Sequence, residues 1–139
     1  MVPGTLVFTD IKGRTVNNAT GLVWTHVLIS LDQVLYEATW PVVKKSSEFP
    51  PATKNLYILP PETPYSKSQI SLMLAFAEKN LGRRYMLRGY VFPNWYGKVR
   101  GVYCSEFVCR VLQAGNVDIP LAAGYTPDAL YTAITGLDP

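Results

Sequence analysis

The sequence is short of the residues that most binding chemistries require. It carries a single histidine, His26, and two cysteines, Cys104 and Cys109, in 139 residues. One histidine and two cysteines five positions apart do not supply a tetrahedral metal set. Read on one helix, the same cysteines fall on different faces and cannot bridge, so a disulfide framework is excluded. Only 17% of residues are charged, the net charge is +3, and no Lys/Arg run exceeds two. A nucleic-acid surface is therefore not expected. No apolar run reaches the roughly 18 residues of a spanning helix. The opening MVPGTLVFTD lacks the basic region and long apolar stretch of a signal peptide. The ten glycines form no GxGxxG or Walker loop, and no cofactor is implied. As written the chain reads as cytoplasmic when made, with export or contact with the cell envelope left open.

What the sequence does have is apolar content, 48% of the total, enough to fill one core. The length suits one domain over residues 1–139. The first half reads as strands. Thr5 to Thr9 is a short run after Pro3-Gly4, and Val23 to Leu31 and Val34 to Trp40 form a hairpin around Asp32-Gln33. Residues 42–53, with Lys44, Lys45, Ser46, Ser47, Pro50 and Pro51, read as a surface loop. Leu56 to Leu59 reads as a further strand. The second half reads as helices. One is introduced by Pro64 and a Ser66/Gln69 capping box and ends at Gly82. Another starts near Cys104 and stops at Gly115. The last has Thr126 as N-cap, Pro127 at its first position and Asp128 near the positive end of its dipole, and ends at Gly136. Strands first and helices later predict an α+β fold, an antiparallel sheet packed with helices.

Three residues stand out as candidates for chemistry. Cys104 lies where Gly101-Val102-Tyr103 gives way to an amphipathic helix. A thiol at a helix N-terminus sees oriented N–H groups that favour its thiolate, and those groups also suit a developing oxyanion. Cys109 has neither advantage and reads as packing. A nucleophile needs a base and the base needs an orienter. His26 is the only imidazole, and Glu37, eleven residues on, comes close to opposite it across the hairpin. Read by themselves, a strand histidine is more often a half-buried core residue, a cysteine a small buried hydrophobe, and Glu37 an exposed strand carboxylate.

The order strand histidine, hairpin glutamate, helix-start cysteine resembles the circularly permuted papain-like cysteine amidases of the NlpC-type superfamily, in particular the YiiX-like branch. The stretches that carry the resemblance are THVLISLDQVLYEAT, LGRRYMLRGYVF, YCSEFVCRVLQAGNVDIP and TPDALY. Thr5 stands where the family often has an aspartate. The resemblance implies a circularly permuted papain-like fold with Cys104 as nucleophile, His26 as general base and Glu37 as its orienting residue. It implies for Tyr85 a place near the oxyanion, and for Glu106 support of the helix start. The implied activity is that of a cysteine hydrolase, cleaving an amide or ester through a thioester acyl-enzyme. The implied substrates are cell-wall (peptidoglycan) peptides or N-acyl amide lipids, and Tyr90, Phe92, Trp95 and Tyr96 suit either a groove for them or the core. Two alternatives stay open: a non-catalytic binding module on the same fold, and a thiol acyltransferase.

Overall fold

A computed structural model of the chain describes residues 1–11, 24, 26–39, 42–48, 53–84 and 104–139. Five strands among them, β1 (Thr5–Ile11), β2 (His26–Leu31), β3 (Val34–Ala38), β4 (Val43–Ser46) and β5 (Thr53–Leu59), form one sheet. Every pairing is antiparallel and the spatial order is β4-β3-β2-β1-β5. The helices are α1 (Lys67–Lys79), α2 (Cys104–Ala114) and α3 (Pro127–Thr135), with a 3₁₀ turn at Leu121–Gly124 between the last two. The fold is mixed α+β.

The β2–β3 hairpin closes through Asp32 and Gln33, both with positive φ (48° and 63°), as a two-residue type I′ turn requires. The turn sets the register Leu31↔Val34, Ser30↔Leu35, Ile29↔Tyr36. Because side chains alternate across a strand, this register decides which residues meet. Leu6 and Phe8 of β1, Val27, Ile29 and Leu31 of β2, and Tyr36 and Ala38 of β3 go to the main core. There they meet Phe107, Val108, Val111 and Leu112 of α2 and Met73 and Ala77 of α1. Burying each of the larger of these side chains contributes about 1.5–3 kcal/mol. The other face carries a smaller cluster of Val7, Leu28 and Leu35, together with His26 and Glu37.

The residues predicted as loop over 42–53 contain a strand. β4 pairs with β3 through Glu37↔Lys44 and Tyr36↔Lys45. Its lysines mark it as a charged edge strand, which polar composition alone does not distinguish from a loop. Lys45 faces the helices, where its ammonium donates to Glu78 of α1 (3.1 and 3.2 Å), and the Tyr36 hydroxyl donates to the same carboxylate (2.6 Å). Burial and then the Glu78 contact raise the Tyr36 phenol well above its usual range, while the hydrogen bond from Tyr36 lowers Glu78.

The helix ends follow their caps. Ser66 and Gln69 close a reciprocal capping box at the start of α1. Thr126 accepts from the Ala129 N–H at the start of α3, with Pro127 in the first turn, and Gly136 ends it with φ 73°. The 3₁₀ turn has no signature in the sequence. It fits closely against α2, since a Cβ added at Gly124 would lie 2.9 Å from Cys109 Cβ and 3.0 Å from Glu106 Cα.

Candidate active site

The three candidate residues come from three elements. His26 is the first residue of β2, Glu37 lies near the end of β3, and Cys104 is the first residue of α2. Extending the hairpin register places Glu37 level with Leu28, so His26 and Glu37 share a face one diagonal apart, within reach of long side chains. The His26 Nε2 and Glu37 Oε2 atoms are 2.8 Å apart. Both residues are buried, at 4% and 6% exposure.

Cys104 is fully buried and its side chain acts on the His26 ring. With Nε2 committed to Glu37, Nδ1 is the ring nitrogen left for the sulfur. Burial by itself would lower the His26 pKa, because it disfavours the imidazolium. The Cys104 sulfur, by charge and hydrogen bond, and then Glu37 act in the opposite sense and outweigh it, so the pKa is pushed up to about 9. The imidazole thus holds a proton more tightly than a free histidine does. That is what a base must do after taking a proton from a thiol.

Glu37 is held from its other side as well. Its Oε1 lies 3.8 Å from Nζ of Lys44, its cross-strand partner on β4. Lys44 is largely exposed, so this long pair is screened and contributes little to stability. Its effect is on which way the carboxylate faces.

The polar residues buried in the strands concentrate on this same face. Thr5 and Thr9 of β1, His26 and Ser30 of β2 and Glu37 of β3 are all buried, and Thr5↔Ser30 and Thr9↔His26 are direct pairs. Thr9 Oγ1 has no hydrogen-bond partner among the described residues, and neither does Trp24 Nε1. Among the described residues the helix-side face, by contrast, is mostly apolar, with polar groups from Tyr36, Lys45 and Tyr57.

Cys109 lies in the same helix as Cys104, equally buried, and neither is in a disulfide. Its thiol donates to the Pro120 carbonyl (3.5 Å), and burial raises its pKa. Glu106 pairs with Arg110 one turn on (3.7 Å), a contact within α2. Tyr85, and the aromatic residues Tyr90, Phe92, Trp95 and Tyr96, lie outside the described residues. Ser105 and Asp128 acquire partners that sequence reasoning missed: Ser105 Oγ donates to the Gly124 carbonyl and Asp128 Oδ1 accepts from the Trp24 N–H. The second contact spans 104 positions, and no local pattern signals it.

Among the described residues, no group of His, Cys, Asp and Glu could hold a metal ion, and no helix is long and apolar enough to cross a membrane. The chain matches no family model, no curated protein and no solved structure with which it was compared.

Proposed function

We propose that the chain is a cysteine hydrolase with a circularly permuted papain-like fold, cleaving amide or ester bonds through a thioester on Cys104. One observation carries this reading. The only histidine hydrogen-bonds a carboxylate, and its proton affinity is raised both by that carboxylate and by a helix-start thiol.

In this reading His26 takes the thiol proton and the sulfur attacks the substrate carbonyl. The N–H groups of the first turn of α2, which have no partner within the helix, stabilise the oxyanion. The tetrahedral intermediate collapses with loss of an amine or alcohol, which takes the proton from the His26 imidazolium. Water, deprotonated by His26, then attacks the thioester, releases the acid and restores the thiol. Glu37 fixes the ring so that the remaining nitrogen faces sulfur, and stabilises the imidazolium between the two steps. Cell-wall peptides and N-acyl amide lipids are the substrate classes to test.

The test is trapping of the acyl-enzyme. Incubation with a panel of peptide amides, lipid amides and activated esters, followed by intact-mass measurement, should show one acyl adduct on Cys104 that decays in water. Cys104→Ser should abolish the decaying adduct. A wild-type protein that forms no adduct with any of the panel, and labels equally at both cysteines with iodoacetamide, overturns the reading.

A further inference from the structure

The nucleophile and the base sit on elements far apart in sequence, and α2 joins the sheet by packing, not by a ladder of hydrogen bonds. Something has to fix the distance between them. Two contacts outside the catalytic group bear on this. Next to Cys104, Ser105 is fully buried and its hydroxyl donates to the Gly124 carbonyl at 2.8 Å. Two positions before His26, the Trp24 N–H donates to Asp128 Oδ1 at 2.7 Å. Gly124 and Asp128 are only four residues apart, joined through Tyr125, Thr126 and Pro127.

We propose that residues 124–128 form a strap that sets the spacing of Cys104 and His26, with Ser105 and Asp128 as positioning residues for the reaction. The connections form a closed ring: Cys104 to Ser105, across to Gly124, along the strap to Asp128, across to Trp24, and back to His26, whose proton affinity Cys104 raises. Each end is built to be stiff. At Gly124 the backbone lies so close to α2 that even a methyl group would collide with Cys109 and Glu106. At Asp128 the Thr126 cap and Pro127 fix the first turn of α3. One turn further, Tyr131 packs edge-on against Phe8 at 5.5 Å and lies 6.3 Å from Trp24, which holds α3 to the sheet. A buried hydrogen bond at the Gly124 end, a part-buried one at the Asp128 end and a four-residue span leave little room for the thiol and the ring to drift. Misplacement of reacting groups by about 1 Å costs up to about a hundredfold in rate.

The inference rests on reading Cys104 and His26 as nucleophile and base, but its test does not require turnover. Two readouts report their spacing in the full chain: the titration midpoint of the His26 ring by NMR, and the rate of iodoacetamide labelling of Cys104 relative to Cys109. Ser105→Ala and Asp128→Ala should each lower the His26 midpoint and slow Cys104 labelling by about tenfold to a hundredfold. Asp128→Asn keeps a side-chain oxygen for the Trp24 N–H and should restore most of the rate. Because both changes release the same strap, the double variant should be no slower than the slower single. Ser66→Ala removes the cap of α1, and should lower the Tm while leaving both readouts unchanged. Gly124→Ala releases the α2 end without touching Asp128, and serves if Asp128→Ala is too unstable to purify. Wild-type midpoint and labelling in Ser105→Ala and Asp128→Ala, or losses that multiply in the double variant, overturn the strap. A wild-type protein that cleaves no amide or ester, with both readouts still responding to these variants, overturns the hydrolase and keeps the strap.

Discussion

Cys104 and Cys109 lie five residues apart on one helix, both fully buried and neither in a disulfide. Burial does not distinguish them, and neither does the element they stand on. Their partners do. Cys109 meets a backbone carbonyl, which can only accept the thiol proton's hydrogen bond, and burial makes that thiol harder to ionise. Cys104 stands at the helix start against an imidazole that a carboxylate, Glu37, backs. About one and a half turns of helix therefore separate a packing residue from a candidate nucleophile. What differs is the presence of a group able to take and keep the proton.

The largest effect should come from exchanging the two roles by mutation. Cys104→Ala should reduce turnover to background, while Cys109→Ala should keep turnover and lose on the order of 1 kcal/mol of stability through the small cavity and the lost hydrogen bond. Denaturant melts and kcat/KM on any accepted amide separate the two. Comparable activity losses in both variants would mean that the helix, not the thiol, matters.

The His26 pair sharpens the comparison through pH. Its folded pKa, about 9, lies above the 6.5 of an unperturbed histidine, so the folded state binds the proton more tightly. The stability this contributes is fully present below about pH 6.5 and is lost as pH rises through about 9. The unfolding free energy should therefore fall between about pH 7 and 10, and fall less in His26→Gln, which has no proton to lose. In the same variant iodoacetamide labelling of Cys104 at about pH 7 should slow to the rate of Cys109. A pH profile identical in wild type and His26→Gln would show that His26 is not the proton holder.

Glu37 comes next. An orienting carboxylate contributes less than the nucleophile, because the ring still adopts the productive pose part of the time. Glu37→Gln should leave a residual kcat/KM, down by about tenfold to a thousandfold, and a lower His26 pKa. Undiminished activity would assign the orienting role elsewhere.

The hairpin was readable in advance because its information is local: alternating side chains, a two-residue turn, and a register that follows from both. The capping box at Ser66 and the Thr126-Pro127 start of α3 are equally local. β4 was not readable, since Lys44 and Lys45 look alike on an edge strand and in a loop, and only pairing with Glu37 and Tyr36 tells them apart. The 3₁₀ turn and the Ser105 and Asp128 contacts depend on packing between segments distant in sequence. The approach of Cys104 to His26 has the same long-range character. Order along the chain and a family resemblance suggested it, and no periodicity could.

Thr9 offers the smallest effect and the most direct test of whether the polar face of the sheet serves anything beyond the His26–Glu37 pair. It sits directly across from His26 on β1, is fully buried, and its hydroxyl has no partner among the described residues. A buried hydroxyl without a partner costs about 1–3 kcal/mol in lost hydration. Valine has nearly the same shape and the same preference for strands, so Thr9→Val should leave the ladder intact and raise stability by about 1 kcal/mol. If the face matters only through the residues that touch Cys104, kcat/KM should stay within about twofold. A gain in stability accompanied by a raised KM would instead give the hydroxyl a polar group of the substrate to hold, because an unsatisfied donor beside His26 is then satisfied only in the complex. Lower stability in Thr9→Val would show that the hydroxyl is already hydrogen-bonded in the free protein, and that the polarity of this face belongs to the fold.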